Sequence, residues 1–78
     1  MQRFFFDVAD RSAVRYDYRG YIFECPEWAK QHAELIALDL AHTEADDIER
    51  GREVQVRDVK GTQLFAIAVC YPAALTAA

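Results

Sequence analysis

The stretch Arg3-Phe4-Phe5-Phe6-Asp7-Val8 puts three phenylalanines in a row near the start of a 78-residue chain. Aromatic and β-branched residues favour a strand, and the polar Ala9-Asp10-Arg11-Ser12 that follows reads as a turn. Successive side chains of a strand point to opposite faces. If Phe4, Phe6 and Val8 face a core, Phe5 faces away from it.

Outward from this run, Val14-Arg15-Tyr16-Asp17-Tyr18 alternates apolar with charged residues, the period of a second, half-buried strand. Arg19-Gly20 supplies a turn and Tyr21-Ile22-Phe23 a short extended piece. Pro26 suits a first helical turn, with Cys25 as a poor cap. From Glu27 to about Ala45 there is no Gly or Pro, and Ala29, Ala33, Ile36, Ala37 and Leu40 recur at helical spacing, so this stripe should lie on the sheet. Glu44, Asp46, Asp47 and Glu49 would meet the negative end of the helix dipole, which predicts fraying or termination near Asp46.

After Arg50-Gly51-Arg52, the alternating Glu53 to Asp58, the Lys60-Gly61 turn and the apolar Leu64 to Tyr71 form a hairpin pattern ended by Pro72. The expected fold is α+β, in the order β-β-α-β-β, with one helix packed on one face of a small antiparallel sheet. Residues 1–72 would form a single domain and residues 73–78 a loose tail.

A domain this short buries only about 60% of the surface of its unfolded chain, and small domains add disulfides, a metal or oligomerisation. Cys25 and Cys70 could make one bridge at most, and two reduced thiols are the expectation. The start has no signal-peptide pattern and no run is apolar enough for a membrane span, which predicts a cytoplasmic chain with no membrane partner. Net charge is −4, and residues 25–50 set Lys30 and Arg50 against seven acids, so no basic stripe is left for a nucleic acid.

The opening run, Asp17-Tyr18-Arg19-Gly20, the Ala29 to Ala33 helix start, and Val54-Gln55-Val56-Arg57-Asp58 before Lys60-Gly61 come in a characteristic order. Over residues 3 to about 70 the chain resembles a family of very short alphaproteobacterial proteins, common in rhizobia and their relatives, known only as a domain of unknown function. The resemblance implies a β-β-α-β-β domain in a bacterial cytoplasm and no assigned catalytic residue, cofactor or partner. The chain departs from the usual pattern at Cys25-Pro26-Glu27-Trp28 and at Ala66 and Ala68, where outward polar residues are common.

A single helix covers one sheet face only. If Phe65, Ile67 and Val69 face the helix, then Leu64, Ala66, Ala68 and Cys70 line the other side with no charge among them. Trp28, Leu35 and Leu38 also lie off the inward helical stripe. The candidate self-association surface is therefore Phe5, Trp28, Leu35, Leu38, Leu64, Ala66 and Ala68. It predicts a homodimer, through the open sheet face or an edge strand continued across a two-fold axis.

Three constellations bear on chemistry. Asp39, His42 and Asp46 share a helical face at a spacing that suits a divalent ion. His32 lies seven residues from Cys25, but no orienting group or oxyanion motif accompanies them. Tyr16, Tyr18, Tyr21 and Tyr71 with Arg15 and Arg19 suggest a stacking platform for single strands, diluted by Asp17, Glu24 and the acidic helix. Each of the three is better explained as ordinary surface or core, so no catalytic residue, metal or cofactor is expected. The resulting expectation is a non-catalytic, self-associating interaction or regulatory module with an unidentified protein partner; a nucleic-acid accessory protein and a small enzyme are the alternatives.

Overall fold

In a computed structural model that describes residues 1–43 and 51–69, β1 (Gln2–Ala9) runs through the middle of one antiparallel sheet. The remaining elements are β2 (Val14–Arg15), β3 (Tyr21–Phe23), α1 (Pro26–Thr43), β4 (Glu53–Arg57) and β5 (Gln63–Ala68). The sheet order is β2-β1-β4-β5, with β3 also paired to β1. This is the expected α+β arrangement, one helix and one antiparallel sheet, with the second strand divided in two.

That division has a local cause. Val8 pairs with Arg15 and Ala9 with Val14 at one end of β1, while Gln2, Arg3 and Phe4 pair with Phe23, Ile22 and Tyr21 at the other. Between them, Tyr16 to Gly20 leave the ladder, and the Phe6 amide donates to the Asp17 side chain at 3.1 Å instead of to a neighbouring strand. The alternation of Val14 to Tyr18 predicts five paired residues, and a carboxylate acting as a backbone acceptor reduces them to two. A Cβ at Gly20, whose φ is 70°, would lie 2.7 Å from the Phe4 carbonyl oxygen, so the return into β3 requires glycine.

β4 lies on the opposite edge of β1, with Phe6 facing Val56 and Val8 facing Val54. β5 follows in hairpin register, Val54 with Ile67 and Val56 with Phe65, and slips by one residue between Val56 and Arg57. The slip is a bulge, opposing Arg57 to Gln63 and leaving Leu64 as the extra residue. Just past the end of β5, the Val69 amide still donates to the Arg52 carbonyl at 2.9 Å. The expected extension to Tyr71, the end at Pro72, the 73–78 tail and the fraying near Asp46 all lie outside the described residues.

Helix α1 presents a strictly four-spaced row of Ala29, Ala33, Ala37 and Ala41 to the sheet, all buried. Small side chains let the helix backbone approach the strands closely, and Ile36 and Leu40 close one flank of the contact. The core is consequently thin, and Phe4, Val54 and Val56 are its largest fully buried side chains. His32, one turn before Ile36 in the same row, packs its ring 4.9 Å from Phe6, 4.7 Å from Tyr21 and 5.4 Å from Phe23. Replacing the fully buried Ala33 by Leu forces helix and sheet apart, and should lower unfolding free energy by about 1–3 kcal/mol in urea titration.

Candidate functional site

On the uncovered sheet face, Asp7 of β1 and Arg57 of β4 meet Asp17 of the β2–β3 connection. Asp7, on β1, is almost completely buried, and Arg57, at the end of β4, donates from Nε to its Oδ2 at 2.8 Å. The second oxygen of Asp7 accepts the Asp17 amide at 2.9 Å. Arg57 Nη2 in turn donates to the Asp17 carbonyl at 3.0 Å. The Asp17 carboxylate accepts from Phe6 with one oxygen, and with the other from Arg19 at 3.0 Å and Gly20 at 3.1 Å.

Each part follows from its place in the chain. Asp17-Tyr18-Arg19-Gly20 is an Asx-type turn, in which a short carboxylate reaches its own backbone two and three residues on. Asp7 occupies the outward position between Phe6 and Val8. The planar guanidinium of Arg57 binds carboxylate and carbonyl with separate donors. It also lies 4.6 Å from the centroid of Phe5 and 5.9 Å from that of Tyr16, so the outward phenylalanine is roofed by a cation.

This arrangement positions backbone and leaves its groups engaged with one another. Burial tends to raise the carboxyl pKa of Asp17, but the amides of Gly20, Phe6 and Arg19 and the charge of Arg57 outweigh it and hold the group below its ordinary value. Among the described residues no buried side-chain polar atom lacks a partner. Recesses among the described residues lie elsewhere. One of about 130 Å³ is lined by Val8, Asp10, Ala13, Val14, Arg15 and Arg52, and one of about 320 Å³ on the outer helix by Gln31, Glu34, Leu35 and Leu38.

The expected association residues do not form one surface. Leu64, Ala66 and Ala68 are exposed in a row on the uncovered sheet face, and Phe5 on that face is half-buried beneath Arg57. Trp28 and Leu35, 56% and 65% exposed, and the half-buried Leu38 belong to the helix on the opposite side of the sheet. A contact through one group leaves the other free.

The remaining candidates are dispersed as well. No three His, Cys, Asp or Glu side chains among the described residues are grouped to hold a metal, and Asp46 lies outside them. His32 packs against three aromatic rings, and its desolvation lowers its pKa below 6.5. Cys25 sits at the helix start, where its carbonyl accepts the Trp28 amide. Tyr21 packs on Phe6 beside the helix while Tyr16 approaches Arg57 on the other face, so the tyrosines make no common platform; Tyr71 is outside the described residues.

Removing the Arg57 side chain leaves the buried Asp7 carboxylate without its cation. Arg57→Ala should therefore cost about 3 kcal/mol of stability in urea titration, with Arg57→Lys recovering only part of it. The pH dependence of the urea midpoint should show two steps. His32, with a lowered pKa in the fold, contributes stability fully present above pH 6.5 and lost as pH falls below it; the step disappears in His32→Leu. Asp17, also lowered, contributes stability present above pH 3.8 and lost as pH falls further; Asp17→Asn makes this step smaller, the remainder coming from Asp10, which the amides of Ser12 and Ala13 likewise hold below its ordinary value.

No curated protein and no solved structure matches this chain. A family profile described as Domain of unknown function (DUF6894) matches residues 3–70, which include every residue of the Asp7, Asp17 and Arg57 network. The chain belongs to that family of domains of unknown function.

Proposed function

We propose that this domain is a self-associating interaction module without catalysis of its own, acting as a homodimer in a bacterial cytoplasm. The observation that carries the reading is the exposed, uncharged row of Leu64, Ala66 and Ala68 on β5, which among the described residues is paired along one edge only, to β4. Exposed edges of this kind are ordinarily blunted by a charge, a proline or a bulge; β5 has no charge or proline, and its bulge lies at Leu64, before Ala66 and Ala68. The thin alanine-lined core adds a reason, because a domain of this size gains stability from surface covered by a second copy.

The engagement of Asp7, Asp17 and Arg57 with one another supports the absence of catalysis from the reading. A group that reacts needs a free lone pair or proton directed at a substrate, and these are directed at the backbone and at each other.

Light scattering at high micromolar concentration should report twice the 8.9 kDa chain mass. Ala68→Lys should return the mass to one chain, while unfolding free energy of the subunit changes by less than about 0.5 kcal/mol because Ala68 is exposed. A wild-type mass of one chain across the concentration range contradicts the reading.

A further inference from the structure

The backbone of β5 specifies how two copies meet. In an antiparallel ladder, consecutive residues direct their N–H and C=O to alternate sides. The Phe6 amide is turned away from β4 toward Asp17, so Phe5, Asp7 and Ala9 are the β1 residues bonded to β4, through Arg57, Gln55 and Glu53. Val54 and Val56 then face β5, and the Val69 amide on the Arg52 carbonyl continues the same alternation. Phe65, Ile67 and Val69 thus bond inward, and Ala66 and Ala68 direct their peptide groups out of the sheet.

We propose that two copies join through β5, antiparallel about a two-fold axis at Ile67, so that Ala66 of each copy bonds to Ala68 of the other and one sheet runs through both chains. The proposal rests on the self-association reading above and fixes its geometry. The bulge at Leu64 interrupts the outward alternation on one side, leaving Ala66 and Ala68 as the regular pair, and their only mutual two-fold register is centred on Ile67. Four hydrogen bonds result.

Side chains fit the same register. Ile67 of one copy meets Ile67 of the other, and Phe65 meets Val69, on the face that carries the helix. Phe65, with Lys30 Nζ 5.7 Å from its ring centroid, and Ile67 are core-facing yet only half-buried, whereas Val54, Val56 and Val69 are buried, so Ile67 and Phe65 are the core side chains of β5 that still gain cover. On the outer face the pair is alanine against alanine, which lets the strands approach without steric conflict. From Gln63 to Val69 there is no charge that would select a foreign segment. The opposite edge is unsuited to such pairing, because β2 and β3 have two and three residues and Asp17 already occupies the gap between them.

Ala66→Pro separates this geometry from other modes of association. Its amide bonds to none of the described strands of the subunit, so proline there removes an intermolecular donor and leaves the β4–β5 ladder intact. The variant should keep the wild-type circular dichroism and raise the dimer Kd by about 100-fold or more. As a second arm, with Cys25 and Cys70 both replaced by Ser, Ile67→Cys should cross-link under mild oxidation. Facing residues at a non-bonded position lie about 4.5 Å apart at Cα, within disulfide range. Leu35→Cys should not cross-link. A dimer that survives Ala66→Pro, or cross-links through Leu35→Cys and not Ile67→Cys, overturns the β5 geometry while leaving self-association standing; a monomeric wild type removes both.

Discussion

A carboxylate stands in for a strand at the centre of this fold. Asp17 accepts the Phe6 amide where a neighbouring backbone carbonyl would otherwise do so, and Asp7 and Arg57 hold Asp17 there through its own amide and carbonyl. Residues far apart in sequence, on β1, in the β2–β3 connection and on β4, are thereby joined in one hydrogen-bonded unit. The polypeptide can leave the ladder after Arg15 and rejoin it at Tyr21 without exposing the middle of β1. The local sheet depends on this unit, because β2 and β3 are too short to hold an edge alone.

The same unit determines what remains available on the uncovered face. Arg57 is drawn over Phe5, which shields the phenylalanine that β1 turns to the uncovered face, and its charge is met by Asp7. Polar character is therefore concentrated along β1 and β4, and the opposite margin of the face, at β5, is left with apolar side chains and peptide groups that no other described strand pairs. On the other face, the alanine row brings the helix close but supplies little bulk, so residues over β5 are incompletely covered. Both effects direct association toward the same edge.

Much of the scaffold was legible in the sequence because it follows from periodicity. The alternation of Phe4, Phe5 and Phe6, the alanine stripe, Pro26 at the helix start and the Lys60-Gly61 turn each have a local physical cause and appear where that cause places them. The interruption between β2 and β3 was not legible by that route, since Tyr16-Asp17-Tyr18 continues the alternation perfectly and only the long-range bond to Phe6 breaks it. The Asp7, Asp17 and Arg57 network was missed for the same reason. Its signals were an acid inside an apolar run and an Asp two residues before Arg-Gly, both of which acquire meaning only when β1 and β4 are known to be neighbours. The separation of Trp28 and Leu35 from Leu64, Ala66 and Ala68 likewise depends on which side of the sheet the helix lies.

Amide hydrogen exchange resolved by residue tests most directly whether β5 is an edge in one chain and an interior strand in two. The account predicts that the Ala66 and Ala68 amides exchange slowly in concentrated protein and become fast on dilution, while those of Phe65 and Ile67 stay protected throughout. Fast exchange of Ala66 and Ala68 at every concentration, beside protected Phe65 and Ile67, would contradict it.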